Sequence, residues 1–156
     1  MIEAKVHGIP DLKAALASIV PKLRKRALRN ALAAGARLVR DEARKEAPVL
    51  KPDMKVPYRT RGLVKKSISV RTSKIARRSG DVGVFVNVRP AKAGQRGAKN
   101  PNDPFYARFV QWGTVKMRGF HFLEAGAGQL GAALEKFKAV IGPQISKLNG
   151  GKSIDL

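Results

Sequence analysis

Two histidines, His7 and His121, are the only imidazoles in this 156-residue chain, and there is no cysteine. An enzyme needs a nucleophile beside a base, an acid–base pair, or a metal cage. His7 falls on an alternating run and His121 lies between Phe120 and Phe122. Both read as buried or edge histidines. Without clustered carboxylates they make a poor zinc site, and the missing cysteines exclude disulfides and thiolate ligands. Asp41, Glu42 and Glu46 share one helical repeat with Arg37, Arg40 and Lys45, a spacing that suits surface ion pairs better than acid–base work. Gly94-Gln95-Arg96-Gly97-Ala98-Lys99 has the composition of a phosphate loop without its spacing. No serine has the surroundings of a nucleophile elbow. The expectation is a protein that is not an enzyme, with no catalytic residue, no metal ligand and no cofactor.

Charge is the second chemical signal. The chain carries 32 Lys and Arg against 11 Asp and Glu, a formal net charge of +21. Residues 22–78 hold nineteen of those cations and four of the acids, or +15 of the total. Such a surface attracts polyanions and repels copies of itself at low salt. Arg61, Lys65, Lys66, Arg71, Lys74, Arg77 and Arg78 are the candidate contacts to a polyanion or an acidic partner. The same run also fits a solvated face. No helix-turn-helix, zinc finger or ribonucleoprotein motif accompanies it, so base readout has no support.

The third signal is aromatic. In Pro104-Phe105-Tyr106-Ala107-Arg108-Phe109-Val110-Gln111-Trp112-Gly113-Thr114, the rings of Phe105, Phe109 and Trp112 recur at i, i+4 and i+7. That spacing favours a helix. One reading buries the rings in the core. The other makes Phe105, Tyr106, Arg108, Phe109, Trp112, Met117 and Phe120 a subunit interface, where aromatics and Arg are enriched.

These groups must be positioned by a small set of elements. Ile2, Ala4 and Val6 alternate with polar residues as a short strand, and Asp11 can cap a helix carrying Leu12, Ala15, Leu16 and Ile19. Pro21 to Pro48 brackets a long helix rich in Ala, Leu and Arg. Its stripe is Leu28, Ala31, Leu32, Gly35, Ala36, Val39 and Ala43, mostly small, so a neighbour packs closely. Lys25, Arg29, Arg37, Arg40 and Arg44 point mainly away from it. Residues 49–60 read as an exposed loop, 67–71 as a strand, 74–80 as a basic turn, and 82–88 as the clearest strand. Residues 89–103 read as a long, flexible, basic loop, and 116–119 as a second loop before the short apolar segment 120–123. Leu130, Ala133, Leu134, Phe137, Ile141 and Ile145 mark a C-terminal helix that Pro143 bends near its end. No stretch resembles a signal peptide or approaches the roughly 20 apolar residues of a membrane span, so a soluble protein is expected. One domain over residues 1–148 and a flexible tail over 149–156 complete the expectation.

Taken in order, several of these segments match a known pattern: Val6-His7-Gly8, Glu46-Ala47-Pro48, Thr60-Arg61-Gly62-Leu63-Val64-Lys65-Lys66-Ser67-Ile68, Val82-Gly83-Val84, Tyr106 to Thr114, and Phe122-Leu123. Together they resemble the neck and tail-completion proteins of long-tailed bacteriophages, the head–tail joining or minor tail family, over roughly residues 2 to 137. The resemblance leads one to expect an acid where Gln111 stands, a proline where His121 stands, and a shorter loop at 89–103. It implies an α+β fold like that of tail-tube and tail-terminator subunits. In that fold a small, mostly antiparallel sheet packs against the long helix and the C-terminal helix. It further implies a homo-oligomeric, sixfold ring at the tail–head junction of the virion, assembled in the host cytoplasm. Its partners would be neighbouring neck and tail proteins and the passing DNA, with no membrane and no cofactor. The alternative is a non-specific nucleic-acid-binding protein that uses segment 22–78.

Overall fold

The structure, a computed structural model, describes Lys13, Leu16, Ala17 and residues 21–54 and 56–148, the side chain of Lys22 apart. The expected strand at 2–6, the Asp11 cap and the tail 149–156 lie outside the described residues. The elements are α1 (Pro21–Glu46), α2 (Leu63–Ser67), β1 (Ile68–Thr72), α3 (Lys74–Arg78), β2 (Val84–Val88), α4 (Ala107–Trp112), β3 (Gly113–Thr114), β4 (Met117–Arg118), α5 (Phe122–Ala127) and α6 (Leu130–Leu148). The fold is α+β, with two-stranded sheets β1–β2 and β3–β4. The chain forms two compact units. One holds residues 1–37, 72–85 and 130–156, and the other 38–71 and 86–129.

In the first unit, Pro21 begins α1, where its missing N–H is no loss. Ala27 and Ala31 of α1 pack on Ile141 and Ile145 of α6, with Leu16, Leu28, Phe137 and Val140 around them. The small-residue stripe explains how closely the two helices pass. A Cβ on Gly35 would stand 2.5 Å from the Ala133 carbonyl oxygen. Pro143 lies inside α6, which nevertheless runs on to Leu148. Residues 74–80 are not a bare turn. Ser73 caps the short helix α3, its Oγ accepting the Ala76 N–H at 3.2 Å, and this hydroxyl satisfies a donor that basic side chains cannot.

In the second unit, Ala43, Ala47, Val64, Ile68, Ala107 and Phe122 form the core, with Val86, Val88, Tyr106, Val110 and Leu123 packed against it. The expected strand at 67–71 shifts by one residue, because Leu63–Ser67 forms the helical turn α2 first. The strand expected over 82–88 begins at Val84. Arg44 also departs from expectation. It turns inward, and its guanidinium donates to the Ile68 carbonyl at 2.8 and 3.1 Å. The carbonyls at the end of a short helix lack internal partners, and Arg44 supplies the donors.

Candidate assembly surface

The second unit carries the aromatic run on α4, as its i, i+4, i+7 spacing suggests. The helix ends at Gly113, where φ is +86° and a Cβ would meet the Met117 carbonyl oxygen at 2.6 Å. The chain then makes a hairpin in place of the expected loop at 116–119. Gly113 pairs with Arg118 and Thr114 with Met117, with Val115 and Lys116 at the turn. Val115 is fully exposed at its tip. The return strand closes on the end of α4, as Phe120 N–H donates to the Val110 carbonyl at 2.9 Å and His121 N–H to that of Gln111 at 3.0 Å.

Gln111 is buried, and its Oε1 accepts the Leu123 N–H at 3.0 Å in the first turn of α5. An acceptor is what that helix end needs, and glutamine supplies it where an acid was expected. The segment expected at 120–123 becomes the start of this helix at Phe122. His121 precedes it in the left-handed region, at φ +49°. Proline, fixed near φ −65°, cannot adopt that conformation. His121 is not buried: its ring meets Trp112 edge-on at 5.8 Å and its Nδ1 lies 3.1 Å from Glu124.

The proposed interface residues divide by exposure. Phe105 and Tyr106 are half-buried, in edge contact at 5.6 Å. The Arg59 guanidinium lies over both rings, at 4.5 and 4.7 Å, a cation–π arrangement. Burial raises the Tyr106 phenol above its ordinary pKa, while the charge on Arg59 pulls it down. Phe109, Trp112, Met117 and Phe120 are exposed, Trp112 at 64%, and so is Arg108, whose guanidinium lies 5.1 Å from the Phe109 ring. The core reading therefore fails for Phe109 and Trp112. Two depressions flank the run. A cleft of about 400 Å³ is lined by Arg71, Phe105, Arg108 and Trp112 among others. An apolar groove of about 420 Å³ takes Val49, Met54, Val56, Tyr106, Met117 and Phe120 into its walls. The Pro-rich loop hid its contribution to the groove, although Val49, Met54 and Val56 were visible apolar residues in it.

The basic candidates fall in both units. Arg61, Lys65 and Lys66 are exposed on the second unit with half-buried Arg71, whereas exposed Lys74, Arg77 and Arg78 belong to α3 of the first. Loop 89–103 is stitched down, contrary to the expected flexibility. The carboxylate of Asp103, 2% exposed, accepts the Ala91 N–H at 3.1 Å and the Gly97 N–H at 2.8 Å. Arg59 donates to the Ala98 carbonyl at 3.1 Å, and the Thr60 hydroxyl to that of Pro101 at 2.7 Å. The carboxylates near α1 do form surface pairs, Arg40–Asp41 at 2.7 Å and Lys45–Glu42 at 3.3 Å. Among the described residues no group of three His, Asp or Glu could hold a metal ion, and no helix is long and apolar enough to cross a membrane.

A family model described as "Bacteriophage HK97-gp10, putative tail-component" matches residues 11–113. No curated protein and no solved structure matches the chain.

Proposed function

The chain belongs to the HK97-gp10-like family of bacteriophage tail components, and from that premise we propose that it completes the tail as a homo-oligomeric ring at the tail–head junction. The coarser role, a structural component of a phage tail, follows from the family itself. The observation that carries the finer reading is the uncovered apolar surface of α4 and its hairpin. Phe109, Trp112, Val115, Met117 and Phe120 are all exposed within twelve residues. Large apolar side chains left exposed this densely along one short segment favour an interaction site, and aromatic and arginine anchors dominate protein interfaces. In the ring, Phe109, Trp112, Met117 and Phe120, with Arg108 and the half-buried Phe105 and Tyr106, contact the neighbouring subunit. Arg61, Lys65, Lys66, Arg71, Lys74, Arg77 and Arg78 meet an acidic neighbouring ring or the DNA that passes through. Residues 1–148 act as one tail-completion domain.

Electron microscopy of particles made without this gene tests the reading. Filled heads beside separate or malformed tails are the expected result, and normally joined particles refute the junction role. Complementation by Trp112→Ala or Arg108→Ala protein then tests the interface. Both are surface substitutions expected to leave stability within about 0.5 kcal/mol, so folded protein that fails to complete tails is the expected outcome. Full virion yield from both variants removes the interface assignment.

A further inference from the structure

We propose that loop 89–103 is a preorganised contact surface for the phosphate backbone of duplex DNA. Four cations, Arg89, Lys92, Arg96 and Lys99, fall in fifteen residues whose only acid is Asp103. That acid is turned inward and its oxygens are engaged by the Ala91 and Gly97 N–H groups, so it does not neutralise the outer face. Arg89, Lys92, Arg96 and Lys99 are all exposed. The loop is held in shape from within. Arg96 Nε donates to the Ala91 carbonyl at 3.2 Å, the Asn100 side chain donates to the Gln95 carbonyl, and Asn102 N–H donates to Asn100 Oδ1 at 2.9 Å. Cations on a fixed scaffold lose less conformational freedom on binding than the same cations on a mobile chain.

The composition separates nucleic acid from an acidic protein as the partner. Aromatic side chains and arginine anchor protein interfaces, with the aromatics filling buried pockets. Loop 89–103 has arginines but no aromatic or large apolar side chain, its apolar residues being alanine and proline. Phosphate contacts need only cations and small polar groups, and they carry no base readout. The loop therefore has what a sequence-independent backbone contact requires and lacks the pocket-filling aromatic anchors of a protein interface.

The test is fluorescence anisotropy of a labelled 20-base-pair duplex titrated with the purified full chain at several salt concentrations. It needs no ring, so its outcome stands apart from the junction experiment. Each phosphate contact contributes about −0.9 to the log–log salt slope. Lys92→Ala/Lys99→Ala is expected to flatten the slope by nearly 2 and to weaken binding at 0.1 M salt by about tenfold or more. Lys136→Ala/Lys147→Ala removes the same charge from α6 and is expected to have a much smaller effect. Asp103→Asn removes a negative charge but leaves one acceptor oxygen where two N–H groups converge, so it loosens the loop's central tie. Weaker binding by this variant, with an unchanged circular dichroism spectrum, supports preorganisation. Tighter binding by Asp103→Asn overturns the proposal, as does equal loss from the two double variants. Binding to poly-glutamate without binding to the duplex overturns it in favour of an acidic protein partner.

Discussion

The same chemical change, glycine to alanine, is expected to have opposite signs at two helical positions. At Gly35 the added Cβ would lie 2.5 Å from the Ala133 carbonyl oxygen and 3.2 Å from its carbon. Both are backbone atoms of α6, so no side chain can rotate aside. The helices must part by more than half an ångström to restore ordinary contact. That separation opens gaps at Ala27, Ala31, Ile141 and Ile145, which form the core between these two helices. A gap of 0.5–1 Å forfeits about a quarter to a half of each dispersion contact, and overpacking of a fitted core typically costs about 1–3 kcal/mol. Against this stands a gain of about 1 kcal/mol from alanine's better helix propensity. A Cβ held 2.5 Å from rigid backbone belongs in the upper half of that cost, about 2–3 kcal/mol, so the net expectation for Gly35→Ala is a loss of about 1–2 kcal/mol. At Gly131, in the first turn of α6, an added Cβ meets nothing within 4 Å. Only the propensity term remains there, so Gly131→Ala should be neutral or stabilising by up to about 1 kcal/mol. Urea unfolding followed by circular dichroism measures both midpoints in one experiment. A Gly35→Ala midpoint equal to or above wild type would show that the two helices do not approach at this residue.

Two further outcomes follow from named contacts. Arg44→Ala should lower stability by about 1.5–3 kcal/mol, the range for a hydrogen bond to a charged group, because the Ile68 carbonyl loses its guanidinium donor. Arg44→Lys should recover only part of the loss in the same urea titration, since an ammonium cannot reproduce the planar fork. The Tyr106 phenol is raised by burial, with Arg59 opposing, so the folded chain holds that proton more tightly than the unfolded one. The resulting stability is fully present below the unfolded value of about 10 and is lost as pH rises through the folded value. Melting temperatures should therefore fall more steeply above pH 10 for wild type than for Tyr106→Phe, and coincident curves would refute the linkage.

The long helices were legible because their pattern is written in many residues. The stripe from Leu28 to Ala43 gave α1, and its small side chains announced the close passage that Gly35 makes against Ala133. The short elements α2, α3 and the β3–β4 hairpin were not, because they depend on local contacts and not on a long pattern. α3 depends on the Ser73 hydroxyl, which a run of Lys and Arg obscures. Arg44 looked like a surface cation because helical periodicity knows only its own helix, not the carbonyls at the end of α2. Composition made loop 89–103 look flexible, yet a single buried carboxylate organises it. The lone acid among its cations was the available signal, since an isolated buried Asp survives only where donors converge on it. The aromatic run was the most revealing case. Periodicity placed Phe109 and Trp112 on a helix but could not say whether anything within the chain covers them. Both are exposed. Where a sequence pattern calls for burial and the described residues supply no cover, a second molecule is the natural complement. That mismatch carries more functional weight than either the pattern or the exposure taken separately, and it is why the assembly reading rests on α4 and its hairpin.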